Sequence, residues 1–449
     1  MRNKIVFVAA HLGYPMDRTP LGGGAMVGVH LSRLLGAQQN RDFDFVCLGS
    51  GPQAPYEEVS YAALKPPLFP GEHVSLLSEF RYARFSRWFE KKSARWILDR
   101  ISEFTPENTC VIINDISESP DISALSQRGY KVLSLWHVDV VDYFNRLYLK
   151  EMIPGHWLTS SYEKLRTSRA KRLFPDILKL VFEKERETVL WSNRLIFPSQ
   201  TMKERALALY RNLLPSQELS DKSLVLPWGT WSEEIDSDLV LKEAQKISVK
   251  YGLTKENHVL LTVSRISPEK GLDILLKALQ ILEKKRPELA REIRLFICGE
   301  PAFMRGHAYA AKVSRLARAL KIARVFFPGY LTPLQKKAFF GTAELFISPS
   351  IHESYGLTIV EAMSGGCPIL AGDHYGAKDL VSPEFGRIAP YSGPQTPQES
   401  LAANLETLLS DKAELKKMRA SSREAASKMR FENAAQKIAD LAMIEIRAR

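Results

Sequence analysis

Short runs of β-branched and apolar residues alternate with longer helix-patterned stretches along the whole chain. This alternation restricts the fold more than any other feature, because it is the signature of βαβ units and parallel sheets. In the first half the strand candidates are residues 5–10, 43–48, 110–114, 131–136, 194–198 and 223–226. They are apolar almost throughout, as strands covered on both faces must be. The second half repeats the scheme at 258–264, 294–298, 324–327, 344–348 and 368–371. A chain of 449 residues exceeds what one hydrophobic core serves. The turn-rich stretch LLPSQELSDKSLVLPWGTWSEEIDSD sets a boundary near residues 228–235. The expectation is an α/β protein of two Rossmann-like domains facing a cleft, 1–230 and 231–429. A terminal helix at about 430–449 is expected to pack back on the first domain.

Other classes fall away on simple grounds. With 45% hydrophobic and 25% charged residues the chain is neither disordered nor low-complexity. No apolar run approaches the roughly 18 residues of a membrane span. The opening MRNKIVFVAAHLGYP has too short an apolar run for a signal peptide and reads as a buried strand. Cys47, Cys110, Cys298 and Cys367 are scattered without CxxC or His-rich spacing. A disulfide scaffold or zinc site is therefore not expected, and a reducing cytoplasm is. The net charge of +11 points to an anionic partner.

Three segments carry chemistry. In SPSIHESYGLTIVEAMSGGCPILAG a strand ends at Pro349-Ser350, a turn carries Glu353, and a helix opening near Thr358 carries Glu361. Both glutamates fall at the carboxyl edge of a sheet, where open α/β sheets bind ligands. The N–H groups of Tyr355, Gly356, Leu357 and Thr358 at that helix start, with the helix dipole, suit a phosphate. Gly365-Gly366 end the helix. In LLTVSRISPEKGLDILLKALQIL a buried strand runs into Arg265 and Lys270, which flank a strand-to-helix turn and can neutralise a diphosphate. Leu272, Leu275, Leu276, Leu279 and Leu282 form the apolar stripe of the helix that follows. Taken alone, the two cations read equally well as solvated residues beside a loop. In PLGGGAMVGVHLSRLL, Gly22, Gly23 and Gly24 precede a helix. The spacing is not GxGxxG, but a glycine-rich helix entry admits a phosphate or sugar closely, and a plain flexible turn is the alternative.

SRISPEKG, ESYGLTIVE and the triple-glycine loop together resemble the GT-B, family-4-type retaining glycosyltransferases (glycosyl transferases group 1). The resemblance is specific over residues 258–390 and looser over 1–230. It implies that Glu353 holds the hydroxyls of a donor sugar and Glu361 the ribose. It also implies that Arg265 and Lys270 grip the nucleotide diphosphate, with the amides of Gly356 to Thr358 assisting. His137, after the strand at 131–136, matches the position of a histidine that contacts the donor sugar; His11 sits similarly after the first strand. The implied reaction moves a sugar from a nucleotide-diphosphate sugar, UDP or GDP foremost, to a hydroxyl of a glycan or lipid-linked acceptor. It retains anomeric configuration and uses neither metal nor cofactor.

The chain departs from the pattern at two places. Trp228 in LVLPWGTW stands where the family has an amide side chain, and Cys298-Gly299-Glu300-Pro301 lacks a second glycine. Both put donor identity in doubt. The basic excess has its densest run at residues 78–100, with seven Lys/Arg against three acids. Arg81, Arg84, Arg87, Lys91 and Arg95 recur at helical spacing, with Tyr82, Phe85, Phe89 and Trp96 between them. An interfacial helix on anionic lipid is one reading. A surface helix burying its aromatics against the sheet is the other, and describes most such patterns. EKLRTSRAKRLF (163–174) is a second basic candidate, within a helix-prone insert at 137–190. Residues 51–72, punctuated by proline and glycine, read as a long loop near the cleft mouth. Nucleic acid is not expected, because no recognition module accompanies the charge. A catalytically silent GT-B scaffold, a sugar phosphorylase and a nucleotide-sugar epimerase are the competing functions.

Overall fold

The computed structural model describes residues 2–15, 22–38, 43–68, 72–74, 77–149, 151–168, 174–231, 235–301 and 306–448. The chain divides into two compact units, residues 1–228 with 432–449 and residues 229–431.

The first unit is built on a seven-stranded sheet of β1 (Asn3–Val8), β2 (Phe43–Gly49), β3 (Ser60–Ala63), β4 (Thr109–Ile113), β5 (Lys131–Leu135), β6 (Arg194–Phe197) and β7 (Ser223–Val225). The spatial order is β3-β2-β1-β4-β5-β6-β7, and every pairing is parallel. Strand order therefore reverses between β1 and β4, which opens a crevice at their carboxyl ends. The helix Glu79–Leu98 covers one face: Phe85 and Phe89 enter a core with Val6, Val8, Val111, Ile113 and Val132. Two of its cations are drawn to nearby acids, Arg81 to Glu72 and Arg87 to Asp176 at 2.6 Å. The aromatic half of this basic helix is thus packing surface, as an amphipathic helix on a sheet requires. The last helix, Phe431–Arg447, returns to the first unit, where Glu445 meets Arg194 of β6 at 2.5 Å.

The second unit carries six parallel strands: β8 (His258–Val263), β9 (Ile293–Cys298), β10 (Arg324–Gly329), β11 (Leu345–Ser348), β12 (Ile369–Gly372) and β13 (Gly386–Ala389). Their order is β10-β9-β8-β11-β12-β13, so this sheet reverses between β8 and β11. The predicted leucine stripe is buried: Leu272, Leu275, Leu276, Leu279 and Leu282 pack with Leu295, Ile347, Leu401 and Leu405.

Three expectations need correction. Residues 51–72 are not one long loop, because Ser60–Ala63 add an edge strand to β2. Residues 69–71 lie outside the described residues. The edge strand β13 pairs with β12 and was not foreseen. Both strands are four residues long and lie partly open, so neither carries a continuous apolar run. Gly23 and Gly24 do not precede their helix but form its first turn, Gly23–Gln38. Residues 169–173 of the second basic candidate lie outside the described residues. No described helix is long and apolar enough to cross a membrane.

Candidate functional site

The crevice of the second sheet is formed by the two turns that leave β8 and β11. After β8 the chain passes Arg265 and Ser267, makes one 3-10 turn over Pro268–Lys270, and enters the helix Leu272–Lys285 through Gly271. After β11 it passes Pro349 and Glu353 and enters the helix Leu357–Ser364 through Gly356. Backbone joins the turns, since the Ile351 N–H donates to the Glu269 carbonyl at 2.8 Å. Gly271 makes this approach possible. Its φ is 61°, and a Cβ there would sit 2.0 Å from the Pro349 carbonyl oxygen. No L side chain fits at that distance, and only glycine adopts such a φ without strain.

Charge at this crevice comes in pairs. The Lys270 ammonium donates to the Glu353 carboxylate. Burial works against the charge of Glu353, but Lys270 and the neighbouring His374 hold its carboxyl below the usual range. Glu361 pairs with Lys336 at 2.5 Å. The Arg265 guanidinium lies 3.6 Å from Glu269, a longer contact with the arginine partly open to solvent. Glu269 is itself fixed by the Ser267 hydroxyl. At the start of Leu357–Ser364 the first amides have no carbonyl within the helix to receive them. The preceding Tyr355 is anchored through its hydroxyl, which accepts from the Gly229 N–H at 2.9 Å.

The crevice of the first sheet has a different character. His137 follows β5, and its Nε2 lies 3.2 Å from Asn114 Oδ1 at the end of β4. The Asn114 amide donates to the Gly24 carbonyl at 3.0 Å. Burial pushes the His137 pKa down to about 4, against the opposing pull of Asn114 and Glu118. Trp228, the departure from the family pattern, is fully buried with its ring 5.4 Å from that of His137. His11 follows β1 and meets the buried Glu118 at 2.7 Å, and Glu118 also accepts from Tyr82 at 2.8 Å.

The second unit therefore joins Lys270 directly to Glu353, places Arg265 on the turn that bonds to the Glu353 turn, and carries Glu361 in the helix that follows, where its partner is Lys336. The first brings His137 and Asn114 together with Gly24 of the glycine-rich helix entry, and among the described residues no contact of Gly22 or Gly23 with them is seen. Sequence reasoning missed Lys336, His374 and Asn114. Lys336 is one cation on an ordinary helix, and only the fold brings it to Glu361. His374 follows β12; its Nδ1 accepts from Ala377 N–H at 3.1 Å, and burial pushes its pKa down to about 3. Asn114 carried one usable signal, its place at the carboxyl end of a predicted strand.

Residues 243–429 match the family described as glycosyl transferases group 1. Over 245 residues the chain is 25% identical to an uncharacterized glycosyltransferase of Methanocaldococcus jannaschii, covering 54% of this chain and 57% of the relative. Over 183 residues it is 26% identical to the alpha-monoglucosyldiacylglycerol synthase of Streptococcus pneumoniae, covering 40% and 39%. These matches span only about two fifths to three fifths of the relatives' length. Among solved structures, Anabaena HepE in complex with UDP-glucose superposes with a TM-score of 0.63 at 16% identity, covering 98% of this chain and 99% of that one. The chain thus has the GT-B fold of two Rossmann-like units, and its residues 243–429 carry the match to glycosyl transferases group 1.

Proposed function

We propose that the chain is a retaining glycosyltransferase that moves a sugar from a nucleotide-diphosphate sugar to an acceptor hydroxyl without a metal. The observation that carries this reading is the crevice between β8 and β11, where two cations, two carboxylates and a helix start converge on one sheet edge. As the anomeric bond breaks, negative charge grows on the departing diphosphate. Arg265, by its planar fork, and Lys270, as a point charge, receive that charge, and the amides of Gly356, Leu357 and Thr358 add their dipoles. Lys270 is paired with Glu353. Binding of the diphosphate redirects the ammonium and leaves the Glu353 carboxylate to accept from sugar hydroxyls, while Glu361 accepts from the ribose. A preorganised cation set of this kind stabilises the leaving group with little reorganisation.

The resemblance to a UDP-glucose complex supports a UDP-sugar donor, with the sugar left open. We assign the acceptor to the first unit. A lipid-linked acceptor draws support from the lipid named in the streptococcal relative and from an apolar surface on the first unit. There Met152, Trp157 and Leu165 are each exposed, and Lys164 precedes Leu165, side chains of the kind that enter the interface of an anionic bilayer. The helix Glu79–Leu98 is not the favoured contact, because Phe85 and Phe89 are buried in the core and Tyr82, Trp88 and Trp96 pack against it, leaving Phe80 as its exposed aromatic.

The test is release of free nucleotide from UDP-, GDP- and ADP-sugars, with and without diacylglycerol, glycolipid and soluble-sugar acceptors. The reading expects one donor to be consumed, faster with one acceptor, giving a product of unchanged anomeric configuration in EDTA. A chain that binds nucleotides but consumes none of the donors is a silent scaffold. Turnover abolished by EDTA and restored by a divalent ion contradicts metal-independent transfer.

A further inference from the structure

The first sheet holds a hydrogen-bond chain whose direction is fixed at one end. The Gly24 carbonyl is an acceptor only, so the Asn114 group facing it at 3.0 Å must be the amide NH2. The other end of that amide, Oδ1, is likewise an acceptor only. The His137 Nε2 at 3.2 Å must then carry a hydrogen. Imidazole has one hydrogen between its two nitrogens when neutral, so Nδ1 presents a lone pair. The surroundings favour the neutral ring: it is packed against buried Trp228, and burial lowers its pKa to about 4.

Two glycines make room for this chain. A Cβ at Gly24 would lie 2.8 Å from His137 Cγ and 2.9 Å from Cδ2. A Cβ at Gly28 would lie 2.7 Å from Asn114 Nδ2. The glycine-rich helix therefore presses on the Cδ2 edge of the ring and on the asparagine amide. Nδ1 lies on the opposite edge of the imidazole, and the side chain as a whole is only partly buried.

We propose that Asn114 is a positioning residue that fixes His137 as the neutral Nε2–H imidazole, so that Nδ1 accepts from a sugar hydroxyl. A lone pair repels phosphate oxygens and needs a donor, so His137 reads an uncharged hydroxyl and not the diphosphate. Glu118 is the charged group that acts on the ring from the turn after β4. This inference rests on the glycosyltransferase reading only for the identity of the ligand; the tautomer stands or falls by itself.

The experiment is side-chain 15N NMR of the full chain labelled at its nine histidines, with His137 assigned by the His137→Gln variant. The expected wild-type signal is an Nε2–H tautomer that stays neutral from pH 6 to 8. Asn114→Asp keeps an acceptor of the same shape, so it keeps the tautomer but raises the His137 pKa. Asn114→Leu removes the acceptor and mixes the tautomers. Gly28→Ala displaces Asn114 from a separate element and shifts the signal in the same direction as Asn114→Leu. It covers the case in which the leucine variant does not fold. An Nδ1–H signal in the wild type, or an unchanged signal in both Asn114→Leu and Gly28→Ala, would overturn the inference. With UDP-glucose as probe, Asn114→Leu is expected to lower kcat/KM about tenfold, the worth of one uncharged hydrogen bond in a buried site. If wild-type protein turns over no nucleotide sugar, the glycosyltransferase reading fails while the spectrum still decides the tautomer.

Discussion

The two sheet crevices have the same topology and different electrostatics. The second unit sets its edge with paired ions: Lys270 with Glu353, Lys336 with Glu361, Arg265 near Glu269. Around His137 the first sets its edge with uncharged partners, Asn114 bridging to backbone and Trp228 behind the ring, and the ion pair of His11 with Glu118 lies on the neighbouring turns. A strand-order reversal supplies a place to bind, and the side chains decide what binds there. Paired ions can release a cation to an incoming anion at the modest cost of exchanging one partner for another. A neutral imidazole offers an anion nothing and suits a hydroxyl.

The largest expected effect breaks the charged side of this contrast. Lys270→Ala should lower kcat by two orders of magnitude or more, the loss typical when one preorganised group at a developing charge is removed. Circular dichroism checks that the fold persists. Turnover near wild type would remove Lys270 from the chemistry. Next comes Gly271→Ala, which forces a Cβ against the Pro349 carbonyl and separates the two turns. Nucleotide affinity by calorimetry should fall about tenfold or more, with a loss of Tm on the order of several degrees. An unchanged affinity would mean that the turns do not act together. Glu361→Gln keeps the shape of the side chain and removes its charge. Its expected cost is a few-fold in nucleotide affinity, about one hydrogen bond's worth, with kcat little changed.

The smallest prediction sharpens the neutral side. Asp139, fully buried in the first unit, caps the helix Val140–Tyr148 by accepting from the Asp142 N–H at 2.7 Å. Burial foremost, then Asp142, pushes its pKa up to about 7. An aspartate whose folded pKa exceeds its unfolded one favours the fold when protonated. That contribution is complete below about pH 4 and is lost as pH rises toward 7. Asp139→Asn keeps the cap and should flatten the decline in Tm between pH 5 and pH 8 by a few degrees. A variant with the same pH slope as wild type would show that Asp139 is charged throughout.

What could be read from the sequence follows from where its information is local. Buried parallel strands declare themselves by continuous apolar runs, and eleven of the thirteen are visible that way. SYAA and GRIA are edge strands of four residues, one among prolines and glycines, and pairing rather than composition makes them strands. The cations, glutamates and helix start of the second crevice are legible because each lies between the end of a strand and the first turns of the helix that follows it. The partner of Glu361 is not, because Lys336 lies 25 positions away on a helix with no distinguishing pattern. Trp228 was visible as a departure, but its contact with His137 depends on how the end of the first unit folds back. Asn114 looks like any residue closing a strand until the glycine-rich helix is laid against it.

The central claim is that Arg265 and Lys270 exist to hold a nucleotide diphosphate. Calorimetric titration of the full chain with uridine, UMP and UDP tests it most directly, with wild type beside the Arg265→Ala/Lys270→Ala double variant. The account predicts that affinity rises steeply from UMP to UDP in the wild type, weakens with added salt, and loses that rise in a double variant that remains folded. Equal affinity for UMP and UDP in the wild type, or a double variant that still prefers UDP, would contradict it.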